Sequence, residues 1–467
     1  MDGAVGAQTE SPRRGRVELA TAHRRKSVDA LAMYAFVALG LPDGILGTAW
    51  PSVRHSFNVP LEDLGVVLLA GTVGAVAVSA VSGLVIVRVG IAGTVMLGGA
   101  MAALGALGLL LSPAFWAFVL AGTAIGVAAA LIDSSMNSAI ALAGRNRLLN
   151  LVHGSYGIGT TVGPLVVTAA VLAVSWRPAY GFLFVADVVL VAGWWLAGRR
   201  VVGSAPAAGL ATVAGIAPAA QAPPLAGIAP AAQAPSLASS PAAPAPVTPD
   251  PAARLTRVRL AMVVALGLFV FMVYTGFEAS AGQWAASFDR GPLHLGAGAT
   301  GLATFGYWGA LTLARFGLAV PRRRIAPLAV VRWGCAIAVV GAALVWWRPA
   351  TVVALLGIVI IGGALAGVFP ALVALTPERV GDEMARHVIG WQIGAAWIGG
   401  AGISAVFGVV FQHYGLKNFG PALLVVAVML IIGSLVLERA APVAPERPAA
   451  PEISAAPEVS AAAAASQ

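Results

Sequence analysis

Apolar residues fill this chain in long unbroken blocks. From residue 89 to residue 132 there is no Lys, Arg, Asp or Glu across 44 residues, and the block is interrupted only by Ser112-Pro113. Uncharged runs of 29 residues recur at 148–176, 349–377 and 388–416. Each exceeds the roughly 20 apolar residues needed to cross a bilayer core. Windows bounded by charges or turn residues place twelve spans near 29–51, 64–88, 92–112, 115–142, 149–174, 180–198, 258–286, 299–319, 328–347, 350–374, 388–411 and 421–438. In lipid the backbone must be satisfied within a segment or in a closed barrel, and these runs are far longer than barrel strands. The pattern predicts an all-α polytopic membrane protein of twelve transmembrane helices.

Composition agrees. Of 467 residues 59% are hydrophobic and 10% charged, where soluble domains carry about 25% charged residues. The first 28 residues are polar and the apolar run after them continues to Pro51, so it reads as a retained span and not a cleaved leader. A lone Cys335 allows no intramolecular disulfide and argues against zinc. No His-Glu-x-x-His pattern, paired Asp-rich metal motif or phosphate-cradling Gly-Lys loop occurs, so no catalytic residue, metal or cofactor is expected, and no enzyme.

The net charge of +9 does not point to nucleic acid, because the bases sit in short clusters between apolar runs. With the N-terminus inside, 23 of the 28 Lys and Arg fall on the cytoplasmic face, Arg315 and the triplet Arg322, Arg323 and Arg324 among them. Arg54, Arg177, Arg290, Arg348 and Lys417 fall outside. The expected location is the plasma (inner) membrane, multi-pass, with both termini cytoplasmic. Trp116, Trp176, Trp194, Trp195, Trp346 and Trp347 lie at span ends, as interfacial belt residues do. Expected partners are lipid, a small-molecule solute and protons; oligomeric state is not legible.

Residues 201–253 are dominated by Ala and Pro, and the decapeptide at 214–223 recurs at 226–235, the composition of an extended tether. The expected division is a tail at 1–28, a six-helix bundle at 29–198, a linker at 199–257, a second bundle at 258–438 and a tail at 439–467. The two bundles align weakly at a nearly constant offset. Asp43 and Gly47 match Glu278 and Gly282, Gly71 and Gly74 match Gly306 and Gly309, and Arg88 matches Arg323. Gly157 and Gly163 match Gly394 and Gly400.

Two six-helix halves in parallel repeat resemble the major facilitator superfamily, whose solute site lies mid-membrane between the halves. More specifically, the chain resembles the fucose-permease-like (sugar:proton symporter) branch. The likeness is carried by Gly40-Leu-Pro-Asp43-Gly-Ile-Leu-Gly47 in span one, Asp133-Ser-Ser-Met-Asn137 in span four, and Asn150-Leu-Val-His153-Gly-Ser-Tyr156-Gly157 in span five. Tyr274-Thr-Gly-Phe-Glu278 with Gln283-Trp284 in span seven supports it. Two departures stand out: Val87 precedes Arg88 where the family usually has an acid, and His153 replaces an amide. The resemblance implies protonation at Asp43 and solute contact at Asp133.

Four acids lie inside apolar runs: Asp43, Asp133, Asp187 and Glu278. An ionised acid at the bilayer centre costs at least ~2.5 kcal/mol, so such residues face the bundle interior or water. Desolvation favours the neutral carboxyl, which suits a group that loads a proton on one side and releases it on the other. Asp43, Asp133 and Glu278 are therefore the proton-coupling candidates, and Asp187 is set aside because the resemblance implies that span six is peripheral. Asp133 and Asn137 share one helix face, as do Asn150 and His153. With Tyr156, Tyr274, Glu278, Gln283, Trp284, Trp308, Gln392 and Trp397 they form the candidate solute site, a mix of carboxylates, amides and aromatic faces suited to sugar-like ligands. The leading expectation is a proton-coupled secondary transporter of a small polar solute; the alternative is a proton-driven efflux antiporter for amphipathic compounds. Gly159-x-x-x-Gly163-Pro164 partly resembles a motif of the latter, but small residues at this spacing also serve close helix packing.

Overall fold

The computed structural model describes the backbone of residues 11–143, 145–202, 251–318 and 325–442. Within these, side chains at 11–25, 141–142, 146–147, 150, 198–202, 251–257 and 386 fall outside the description. The tether repeat, the arginine triplet and most of the C-terminal tail also lie outside the described residues.

The first half comprises α1 (Ser11–Phe57), α2 (Asp63–Ser79), α3 (Ser82–Leu111), α4 (Phe115–Leu142), α5 (Asn146–Ala173) and α6 (Arg177–Val202). The second comprises α7 (Pro251–Arg290), α8 (Ala297–Leu318), α9 (Pro327–Trp347), α10 (Thr351–Leu365), α11 (Val368–Ala374), α12 (Thr376–Val380), α13 (Asp382–Tyr414) and α14 (Phe419–Ala440). No strand occurs among the described residues. Ten helical segments, one of them α10 joined with α11, are long and apolar enough to cross a membrane. The other two expected spans correspond to α2, a shorter apolar helix of 17 residues, and α8, which carries Arg315 and three threonines.

Two expected boundaries move. The span expected at 64–88 ends at Ser79, where Ser82 Oγ bonds Ser79 O at 2.9 Å and the chain turns. Helix then resumes and breaks again at Gly90, whose φ of 73° is a conformation side-chain-bearing residues avoid. Helix also extends into segments expected as tail and linker, from Ser11 and from Pro251.

Helix pairings repeat between the halves. In the first, α1 packs on α5, α2 on α4, and α3 on α4 and α6. In the second, α7 packs on α13, α8 on α10, and α9 on α10 and α14. Across the middle α1 meets α7, α2 meets α13 and α5 meets α8. The outer surface is apolar, with Val87, Leu104, Leu172 and Leu313 all more than half exposed, as a lipid-facing wall requires.

The tightest crossing is α1 on α5. A Cβ on Gly40 would lie 2.1 Å from Tyr156 O, one on Gly159 2.1 Å from Val37 O, and one on Gly163 2.8 Å from Gly44 Cα. Small residues therefore bring two backbones into contact, and close packing is the role of the Gly159-x-x-x-Gly163 pair. At the end bearing Phe57, here termed distal, Leu61 N donates to Gln412 Oε1 at 2.8 Å and Arg290 donates to Ser52 Oγ at 3.2 Å, stitching the halves together. At the other, basic end, Arg145 grips Asp29 through two bonds of 2.7 and 2.5 Å within the first half.

Two tryptophans expected at the interface are interior. Trp176 (2% exposed) sits edge-on to Phe118 and Tyr180, and Trp194 (3%) joins the α1–α3–α6 core. Trp116, Trp195, Trp346 and Trp347 are exposed, as the belt reading requires.

Candidate functional site

The two acids at equivalent repeat positions, Asp43 on α1 and Glu278 on α7, are each bonded by a tyrosine hydroxyl. Tyr156 of α5 donates to Asp43, a reach made possible by the glycine-lined crossing of α1 and α5. Tyr274, one turn before Glu278 on the same helix, bonds the Glu278 carboxylate. The helices that carry the two acids, α1 and α7, pack against each other.

Their surroundings differ in one respect. Arg315 of α8 places its terminal nitrogen 3.0 and 3.2 Å from the two Glu278 oxygens, and both side chains are largely buried. Tyr307 donates to the Glu278 main-chain carbonyl at 2.7 Å. Among the described residues no Lys or Arg is within ion-pair distance of Asp43. The cluster thus holds two carboxylates and one guanidinium, and a single added proton makes it neutral.

Arg315 is a correction to the sequence reading, which counted it among the bases anchoring the cytoplasmic face. It lies only three residues before the end of α8 and shortly before the arginine triplet, hence the assignment. A helical signal was nevertheless present: Trp308, Leu311 and Thr312 precede it by seven, four and three residues on the buried face of α8.

Other candidates group around this centre or away from it. Asn137 Nδ2 donates to Asp133 Oδ1 at 2.9 Å on their shared helix face, and Asn137 Oδ1 is buried with no partner. The His153 ring meets Phe36 edge-on at 5.3 Å, and the side chain of Asn150 lies outside the described residues. Gln283 wedges against Gly47 at the α1–α7 crossing and donates to Asp43 O at 3.3 Å, leaving its Oε1 buried without a partner. Trp308 packs its ring on Gly282 and stands edge-on to Tyr307.

Three candidates stand apart from the cluster. Trp284 is fully buried between α7 and α13, its indole N–H on Ser404 O at 3.0 Å and its ring edge-on to Phe411. Gln392 is buried and accepts from Thr376 Oγ1 at 3.1 Å. Trp397 is half-buried on α13. Asp187 is buried in α6, where Tyr34 of α1 bonds the neighbouring Ala186 carbonyl. A further buried acid, Asp289, went unnoticed because it sits beside Arg290 and looks like a loop boundary.

Comparison with known proteins places the chain. The Major Facilitator Superfamily model matches residues 32–401, and the chain belongs to that family of transporters. Its fold is shared with the inward open xylose transporter XylE from E. coli (TM-score 0.63, 12% identity, 91% of this chain and 98% of that one). It is shared also with the nucleoside transporter NupG (0.61, 15%, 89% and 99%) and the human organic anion transporter MFSD10 (0.59, 13%, 89% and 99%). Among curated proteins none matches significantly.

Proposed function

We propose that the protein is a proton-coupled secondary transporter that moves a small polar, sugar-like solute across the plasma membrane by alternating access, with both termini cytoplasmic. The observation that carries this reading is the imbalance at the seam between the halves: of two tyrosine-bonded carboxylates, only Glu278 has a guanidinium partner. Glu278 is paired with Arg315. Asp43, held by a neutral donor, is the group that takes the proton, since an unpaired carboxylate in a dry interior is costly. Proton binding there neutralises the cluster and lets the halves close on the solute; release inward restores the charge.

Asp133 and Asn137 on α4, His153 and Asn150 on α5, and Gln283 on α7 supply the polar groups for a hydroxyl-bearing solute, with the Trp308 ring as an apolar wall. Asp133 holds the solute and relays the proton. The test is uptake of a sugar panel into vesicles driven by an imposed proton gradient, with Asp43→Asn beside the parent. Gradient-dependent uptake that the substitution abolishes is expected. Uptake by the parent that ignores both the gradient and the substitution sinks proton coupling at Asp43.

A further inference from the structure

Pro370 lies in the tenth span, which α10 and α11 build together. Proline has no main-chain N–H, so the carbonyl four residues earlier, that of Ala366, loses its helical donor. Helix α10 indeed stops at Leu365, and Ala366-Gly367 form a turn before α11 begins at Val368. A carbonyl freed at membrane depth must find another partner. Arg315 Nε donates to Ala366 O at 3.3 Å, and the Tyr274 hydroxyl lies 3.1 Å from Leu365 O. The same guanidinium holds Glu278, and the same hydroxyl bonds the Glu278 carboxylate. Both groups that close the break in span ten are therefore bound to one acid of span seven.

We propose that Arg315 and Tyr274 are positioning residues that make the bend of the tenth span follow the state of Glu278. Tyr274 has one hydroxyl proton. With Glu278 ionised, that proton points to the carboxylate. When Glu278 accepts from a solute hydroxyl instead, the Tyr274 proton turns to Leu365 O. The guanidinium, which then shares the Glu278 carboxylate with the solute, shifts with it and leaves Ala366 O. Only hydrogen bonds change, and no proton is gained or lost at Glu278. The other ionisable groups facing Glu278 are Tyr307, on its carbonyl, and Asp43 with Tyr156 from the first half.

The bend has somewhere to go. Phe369 at the start of α11 packs on Phe271 and Tyr274 of α7, with ring centroids 5.4 and 6.0 Å apart. Beyond α11, Thr376 Oγ1 donates to Gln392 Oε1 of α13 at 3.1 Å. A swing of α11 and α12 is thereby passed to span eleven at the basic end. Gln392, which stands away from the charged cluster, acquires a role as that link.

The proposal rests on the alternating-access reading, but its test needs neither a solute nor a gradient, so its failure is separate from a failure of proton coupling at Asp43. Spin labels on Glu378→Cys in α12 and Leu84→Cys at the start of α3, in full-length protein carrying Cys335→Ser, report the distance between the halves at the basic end. Arg315→Lys keeps a positive charge beside Glu278, but one ammonium cannot span both Glu278 and Ala366 O. It is expected to displace or broaden that distance by about 5 Å, the scale of one helical turn. In Arg315→Lys/Pro370→Ala the restored N–H of residue 370 serves Ala366 O, and the parent distance is expected to return. Tyr274→Phe is expected to shift it in the same direction by less. An Arg315→Lys distance equal to the parent's, or a shift that persists unchanged beside Pro370→Ala, overturns the proposal.

Discussion

Arg315 and Glu278 form an ion pair of 3.0 Å between α8 and α7, while Asp43, at the matching position of the other half, has a tyrosine hydroxyl in place of a cation. A pseudo-symmetric scaffold thus carries an asymmetric charge set. Breaking a buried pair by removing one partner costs about 3–5 kcal/mol, because the other charge is left stranded. Glu278→Gln and Arg315→Gln should each lower the thermal melting point of detergent-purified protein sharply. The double variant Glu278→Gln/Arg315→Gln should recover much of the loss. Melting curves on the three proteins, with Asp43→Asn for contrast, check this; Asp43→Asn is expected to melt at or above the parent temperature.

The contact of α1 with α5 leaves no room for a side chain. Gly159→Val adds atoms where a Cβ alone would lie 2.1 Å from Val37 O. Overpacking of this kind costs roughly 1–3 kcal/mol, and it also separates Tyr156 from Asp43. A lower melting temperature together with lost uptake is expected. Gly390→Ala, where an added Cβ meets nothing within 4 Å, is expected to change neither.

At the distal end, the bond from Leu61 N to Gln412 Oε1 joins the halves directly. A hydrogen bond of this type has a net worth of about 1 kcal/mol. Gln412→Ala should therefore shift the balance roughly fivefold toward opening at that end. The rate of thiol labelling at Thr48→Cys, in a Cys335→Ser background, reads the change. An unaltered rate would show that this bond is not a latch.

The Asp29–Arg145 pair is about as accessible as the Arg315–Glu278 pair, with side chains 22% and 18% exposed, but it lies at the basic end of the bundle, beside water and salt. Outside the candidate spans, its hydrogen bond to Asp29 holds the Arg145 guanidinium above its usual range. Exposed pairs are worth at most about 1 kcal/mol. Arg145→Gln should accordingly cost far less in melting temperature than Arg315→Gln, and the cost should shrink further as salt is raised.

Much of this was legible in the sequence. Uncharged runs marked the spans, and the offset between Asp43 and Glu278 exposed the duplication. The four-residue spacing of Asp133 and Asn137 placed them on one helix face, where they bond. What escaped has a common physical origin: linear distance from a helix end is a poor guide to depth in a tilted bundle. Arg315 and Asp289 sit close to helix ends, yet the protein covers both. Trp176 and Trp194, also at span ends, turn inward because a neighbouring helix offers aromatic or aliphatic partners there. Burial of Trp284 and Gln392 could not be read at all, since which side of α7 or α13 faces its partner depends on packing and not on composition.

The glycine contact between α1 and α5 also has a mechanical consequence. Backbones that touch through Gly40, Gly44, Gly159 and Gly163 have no side-chain cushion to slide upon, so the two helices must travel as one stiff lever. The matching approach of Gly399 to Met272 O, at 2.0 Å from an added Cβ, welds α13 to α7 in the same manner. Compliance is then left to the side-chain contacts between the levers, such as Gln283 with Asp43 O, and to the proline break in span ten.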